Sequence, residues 1–383
     1  MHNSDWKRHF GLREAGVYYA LVLLMITLGV VTAVAGRPPY FSPINITNIL
    51  YQSSMIAMMG VGMTVILITG NFDLSVGSVA ALGAAITVGL AGPLGFWAAA
   101  VIALIACAMV GGLNGAIVQM LGINAFIVTL GTLTAIRGLV LILTNGRSLI
   151  VSTPEAKAQM VLFEGGKIPI QMLLIVGGIL LMLWFGWRFL RARSNGEAVA
   201  VSVPGGIVAG VFLLLVALWG GPELTVAKPV IYTAIYTAIV WAVLSFTTIG
   251  RRVYATGGNA VAARLSGVNV GAYKMAGFIL SSATAGFAGI MFGSRLGAVN
   301  PTALQGAELT VIAAAILGGT SLFGGAGSVI KTLVGALLLF TLTNGFNILN
   351  LGANYQGVIE GTVVVAAAAI YTVGGTRRKK AAG

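Results

Sequence analysis

Charge is what this sequence has least of. Only 8% of its 383 residues are Asp, Glu, Lys or Arg, and nine of them are acidic, where soluble proteins carry roughly 25% charged residues. With 58% hydrophobic residues and a mean hydropathy of +0.98, a soluble globular domain is excluded and a polytopic membrane protein is expected. The single cysteine, Cys107, sits in an apolar run, so neither a disulfide framework nor a cysteine metal site is available. Both histidines, His2 and His9, fall in the N-terminal tail, and no metal site is expected from them. A nucleotide-binding loop is missing too. In "GGAGSVIKT" Ile330 stands where a glycine should precede Lys331, and in "EGGKI" Ile168 takes the hydroxyl position. The G-x-G-x-x-G spacing is also unmet, so ATP has no site in this chain.

What is present is a set of about twelve apolar runs, near 17–35, 46–69, 74–92, 95–119, 123–143, 170–190, 204–220, 227–246, 271–293, 307–322, 329–350 and 357–373. Each is about the length that crosses a hydrocarbon core. Glycine-rich separators leave ten to twelve spans, because an interrupted run reads as one broken helix or two short ones. The fold expected is all-α: a polytopic bundle of 10–12 transmembrane helices in a single domain, 1–383. The first run ends in "AVAG", a small-residue cleavage pattern, but its length favours an uncleaved first helix over a signal peptide.

The formal net charge of +13 does not point to nucleic acid, because Lys and Arg form short clusters between the runs. Counted over alternate loops, 14 of the 22 lie on one side, including Arg188, Arg191, Arg193, Arg251, Arg252, Arg264 and Lys274, and 6 on the other. The positive-inside rule then makes both termini cytoplasmic, with an N-tail at 1–16, a long cytoplasmic loop at 250–271 and a C-tail at 374–383.

An internal repeat is expected from "NGAIVQMLGINAFIVTLGT", starting at Asn114, and "NGFNILNLGANYQGVIEGT", starting at Asn344, which match at one constant offset. The topology puts Asn114 and Asn344 at opposite membrane faces, as an inverted repeat requires. A second match, "VGSV" at 76–79 and "AGSV" at 326–329, follows the polar breaks "GNFDLS" and "GGTSLFGG". If these breaks are equivalent by inversion, both reach the bilayer midplane as discontinuous helices.

Asp73 is costly against hydrocarbon and so faces a pathway, a partner group or the interface. It also suits capping of a helix starting near Leu74. Asn71, Asp73, Ser75, Ser78, Thr320, Ser321 and Asn344 are the candidate translocation residues. Arg137, Glu308, Lys331 and Glu360 read as structural or interfacial.

The loop from Gly250 to Lys274, "GRRVYATGGNAVAARLSGVNVGAYK", offers Asn259 as cap of a short helix with Val261, Leu265 and Val268 as an apolar stripe beside Arg264. Such a helix suits docking into another protein's groove or resting on the bilayer surface. The motifs "ATGGNAVAARLSGVNV", "FDLSVGS", "AFIVTLGTLTAIRGLVLILTNG", "SRLGAVNP" and "ILGGTSLFGGAGSV" resemble those of the permease subunits of bacterial sugar-importing ABC transporters of the ribose/xylose/autoinducer group, over about 41–371. The extra apolar pair near 170–190 and 204–220 is similar to that of the longer xylose-type permeases. The resemblance implies an inner-membrane homodimer working with cytoplasmic ATPase subunits, which bind ATP and Mg, and a periplasmic sugar-binding protein. It implies that Gly258, Asn259, Ala260, Ala263, Arg264, Leu265 and Gly267 form the segment coupled to the ATPase, and that the permease catalyses no reaction. An ion-coupled secondary transporter, with Asp73 as coupling acid, and a passive channel are the rival readings.

Overall fold

The computed structural model describes residues 12–195, 202–351, and 358, 361 and 362. Among them are fourteen α-helices: α1 (Leu12–Val34), α2 (Pro43–Ile68), α3 (Val76–Leu94), α4 (Phe96–Met120), α5 (Ala125–Leu143), α6 (Pro154–Phe163), α7 (Gln171–Ser194), α8 (Ser202–Gly220), α9 (Lys228–Phe246), α10 (Thr248–Gly258), α11 (Ala260–Leu265), α12 (Val270–Leu296), α13 (Ala307–Leu317) and α14 (Val329–Leu349). Two antiparallel strand pairs complete the set. β1 (Leu149–Ile150) pairs with β4 (Ala298–Val299), and β2 (Lys167–Pro169) with β3 (Thr225–Ala227). The strands lie at one end of the bundle, and α10 and α11 lie at the other, the α11 end.

Ten of these helices are long and apolar enough to cross a membrane, so the all-α bundle expected from composition is the fold. The run near 307–322 is a correction to a twelve-span reading: α13 has only eleven residues before Gly318 ends it, and the chain stays irregular to Ser328. The run near 357–373, Glu360 and the 374–383 tail lie outside the described residues, apart from positions 358, 361 and 362.

Several helices start where short polar side chains can satisfy the free N–H groups of a first turn. Ser42 accepts from Asn45 N, Asn124 from Phe126 N, Thr153 from Ala156 N and Asn269 from Ala272 N. Three of these caps start spanning-length helices, α2, α5 and α12, and Thr153 starts the short α6, whereas α3, α4, α7 and α9 begin without a side-chain cap. Helices α2, α3, α12 and α14 carry most of the core, whereas α1, α5, α7 and α8 leave most of their apolar surface outward. Small residues let the core backbones approach. At the crossing of α3, α4 and α12, a Cβ on Gly286 would stand 2.6 Å from Cys107 Cβ, and one on Gly83 2.8 Å from Gly286 O. Cys107 is thus a packing residue.

The offset of 230 positions relating Asn114 to Asn344 also relates whole helices. It carries α2 onto α12, α3 onto 306–324, which contains α13, and α4 onto 326–350, which contains α14. Contacts exchange in the same way: α4 with α12 and α14 with α2, α3 with α12 and α13 with α2, α3 with α4 and α13 with α14. Helices α2 and α12 are antiparallel, since Gly62 faces Thr284 while Ile66 faces Gly277. The repeat is therefore inverted. The counterpart of the 69–75 break is then 299–305, between α12 and α13, and not the 318–328 break that "AGSV" suggests. The two matched breaks touch, Gly324 against Gly70, but "VGSV" and "AGSV" are 250 positions apart and fall outside the 230-position offset that relates the helices.

The α7–α8 pair stands apart from the rest. Gly178 and Gly210 bring the two backbones together, and the β2–β3 pair closes the base. Each helix packs mainly on the other.

Candidate functional site

The 69–75 break holds a buried polar cluster. Asp73 Oδ1 accepts from Ser75 N at 3.0 Å and Ser75 Oγ at 2.5 Å, and Ser282 Oγ donates to Asp73 Oδ2 at 3.5 Å. Asn114 Nδ2 donates to Ser75 Oγ at 3.2 Å, and Thr132 Oγ1 donates to Asn114 Oδ1 at 2.5 Å. Helix α3 starts at Val76 rather than Leu74, with Asp73 accepting just before its first turn. Ser75 is the N-cap residue and no side chain caps α3, so the expected capping of a helix at Leu74 by Asp73 is not formed; Asp73 instead holds the N–H and hydroxyl of Ser75 ahead of the helix. Ser282 lies midway along the 27-residue α12, so the carboxylate sits deep in the bundle. Asp73, Ser75, Ser78, Asn114 and Ser282 are fully buried. A buried carboxylate needs such donors, because its charge is otherwise uncompensated.

The seven candidate translocation residues separate into three groups. Asn71, in the same break, donates to Thr69 Oγ1 at 3.3 Å and shares no hydrogen bond with the Asp73 cluster among the described residues, whereas Ser78 Oγ donates to Ser75 O at 2.9 Å. Thr320 and Ser321 lie in the second break, where Ser321 N donates to Ala326 O at 2.9 Å and Thr320 Oγ1 has no partner among the described residues. Asn344 is remote from both, donating to Asn45 Oδ1 at 2.9 Å near the strand end.

The sequence reading missed the partners. Ser282, inside "GFILSSATAG", and Asn114, used only as a repeat marker, complete the Asp73 cluster, while the neighbouring Ser281 hydroxyl is buried with no hydrogen-bond partner among the described residues. Arg137 and Glu308 bracket the same region: Arg137 Nη1 donates to Ala303 O at 2.7 Å, and a Cβ on Gly77 would overlap the Glu308 carboxylate.

Two cavities differ in chemistry. One of about 370 Å³ between α2, α4, α9 and α12 is lined by Met58, Leu104, Tyr236, Ile239, Leu280 and Phe287 and is almost wholly apolar. The other, about 240 Å³ at the strand end, is lined by Thr47, Asn48, Tyr51, Glu164 and Lys167 among others. Here Tyr51 Oη donates to Glu164, and Arg295 stacks 4.1 Å from the Tyr51 ring centroid. Burial raises the Glu164 carboxyl above the usual carboxylate range, against the opposing pull of Tyr51 and Arg295. Among the described residues, no group of three or more His, Cys, Asp or Glu is placed to hold a metal.

At the α11 end, Asn259 Oδ1 accepts from Val261 N and Ala262 N at 3.1 and 3.0 Å and starts α11. Ala263 is buried, while Val261, Arg264 and Leu265 project outward. The expected stripe stops at Leu265, because Gly267 (φ +79) turns the chain and leaves Val268 partly covered. This short helix is tied to the breaks. Gly257 packs on the end of α2, Gly325 N donates to Ile68 O at 2.9 Å, and Tyr254 Oη donates to Gly327 O at 2.9 Å.

A bundle of ten helices long and apolar enough to span a membrane, with an inverted repeat, a buried polar break and an outward helix, is the architecture of a polytopic membrane protein. The chain belongs to the family of branched-chain amino acid transport system permease components, whose model matches residues 45–368. The ribose import permease of Escherichia coli strain K12 is 33% identical over 349 residues, 91% of each chain. The xylose transport system permease of the same strain is 33% identical over 339 residues, covering 86% of this chain and 84% of that one. The D-allose transport system permease is 30% identical over 358 residues, 93% and 90% of the two chains. No solved structure matches.

Proposed function

We propose that this chain is the transmembrane permease subunit of an ATP-binding cassette importer that moves a monosaccharide, a pentose such as xylose, into the cytoplasm by alternating access. Membership of the permease family carries this reading, together with relatives named for ribose, xylose and allose import. The preference for a xylose-type pentose rests on the α7–α8 pair alone, since identity to the ribose and xylose permeases is equal.

In this reading the protein is a homodimer in the bacterial inner membrane, and the α11 end faces the cytoplasm because Arg251, Arg252, Arg264 and Lys274 cluster there. Cytoplasmic ATPase subunits bind ATP and Mg and take the outward face of α11, and a periplasmic binding protein delivers sugar to the strand end. Residues Gly258 to Gly267 transmit nucleotide-driven movement. Asn71, Asp73, Ser75 and Ser78, with Thr320, Ser321 and Asn344, contribute polar surface to a path that opens only in part of the cycle. Weak contacts suffice, because a transit site must release what it takes up.

The test uses vesicles reconstituted with the permease, its ATPase and its binding protein, with proton and sodium gradients collapsed by ionophores. Uphill uptake driven by ATP alone is expected. Uptake that follows an ion gradient without ATP would make this a secondary transporter and overturn the proposal.

A further inference from the structure

Phe323 is 93% exposed and Leu265 85%, the two highest values among the large apolar side chains of the described residues. Both project at the α11 end, on segments whose backbones interlock. Phe323 precedes Gly324 (φ +86), on which a Cβ would stand 2.8 Å from Gly257 O and 2.9 Å from Gly70 Cα. A Cβ on Gly325 would stand 2.6 Å from Gly258 Cα, and Asn259, the α11 cap, follows directly. The turn that carries Phe323 is itself held, with Phe323 N donating to Ser321 Oγ at 3.1 Å and Ser321 N donating to Ala326 O at 2.9 Å. A fixed turn thus presents the phenyl ring outward.

The hydrocarbon core does not explain this exposure. Both side chains sit on or beside non-helical backbone, which hydrocarbon does not tolerate, and Arg264 is exposed beside Leu265. Water is an unfavourable neighbour for a whole phenyl ring, and aromatic side chains are enriched among the anchors of partner contacts. Resting on the functional reading above, we propose that the 321–325 turn, with Phe323 at its tip, is a second anchor for the same ATPase subunit that takes α11. One partner movement would then displace α11, the second break and, through Gly70 and Ile68, the break that carries Asp73. The coupling surface is two-pronged and directly continuous with the polar cluster.

The test places the photo-crosslinking analogue benzoylphenylalanine at position 323, 265 or 212 of the complete transporter in native membranes. Phe212, on α8, is exposed and distant in the fold. Crosslinks to the copurifying ATPase chain are expected from 323 and 265 and not from 212. A crosslink from 265 with only lipid or the second permease copy captured from 323 overturns this inference and leaves the functional reading standing. No ATPase crosslink from either position overturns the functional reading itself. As a second measurement, Phe323→Asp should insert normally and lower binding-protein-stimulated ATP hydrolysis at least several-fold. Undiminished stimulation would also overturn the second anchor.

Discussion

Gly257, near the end of α10, lies against the last turn of α2 so closely that a Cβ there would overlap the carbonyl oxygen of Ile68. The next residue, Gly258, has only Gly325 Cα within reach of such an atom, at 3.8 Å. Adjacent glycines in one motif thus face opposite steric demands.

Gly257→Ala is expected to force α10 off α2, an overpacking cost of about 1–3 kcal/mol. Sugar uptake and stimulated ATP hydrolysis should fall together. Gly258→Ala should retain most of both. Equal behaviour of the two variants in reconstituted vesicles would contradict the packing described.

Removing the α11 cap tests whether that helix must be preformed. Asn259→Ala leaves the N–H groups of Val261 and Ala262 without their acceptor, a loss of about 1 kcal/mol. The amount of ATPase recovered with detergent-solubilised permease should drop, and Asn259→Asp, which restores an acceptor, should recover it. A deficit equal in both variants would instead point to direct recognition of the amide.

At Asp73, substitution by Asn keeps an acceptor for Ser75 N and Oγ while removing the charge. Uptake is expected to fall moderately and to remain driven by ATP with ion gradients collapsed. Asp73→Leu, which strands the donors of Ser75 and Ser282, should be far more damaging. Loss of uphill uptake in Asp73→Asn with downhill exchange preserved would instead identify a coupling acid.

Glu164 carries a pH signature. Burial raises its carboxyl, so the folded protein holds the proton to a higher pH than the unfolded chain does. The stability this contributes is fully present below the ordinary carboxylate value, about 4.3, and is lost as pH rises through the raised folded value. Glu164→Gln mimics the protonated acid and still accepts from Tyr51. Its melting temperature in detergent should exceed that of the wild type near neutral pH, and the difference should shrink on acidification. A difference that does not change with pH would contradict the assignment.

Legibility differed between elements. The spans could be read because hydrocarbon imposes one rule on every segment, a long apolar run, and the caps Ser42, Asn124 and Asn269 start three of them. The α11 helix could be read because Asn259 precedes it within its own stretch. Helix α13 could not, since its composition is that of a spanning segment and only the irregular path of the chain from Gly318 to Ser328 leaves it short. The inverted repeat was visible in Asn114 and Asn344, whereas the "AGSV" match misled because local similarity carries no sense of direction.

The sequence by itself determined that this protein lives in a membrane, how its helices alternate and that one loop carries an outward apolar helix, because each of these follows from composition and spacing within a few turns of chain. Only the tertiary structure decided what Asp73 touches and how the loop reaches it. Ser282 lies 209 positions from Asp73, and Thr64 meets Thr332 across 268 at 2.6 Å. Contacts of that kind depend on how closely glycine-lined backbones can approach, a property of packing in three dimensions that no local pattern encodes.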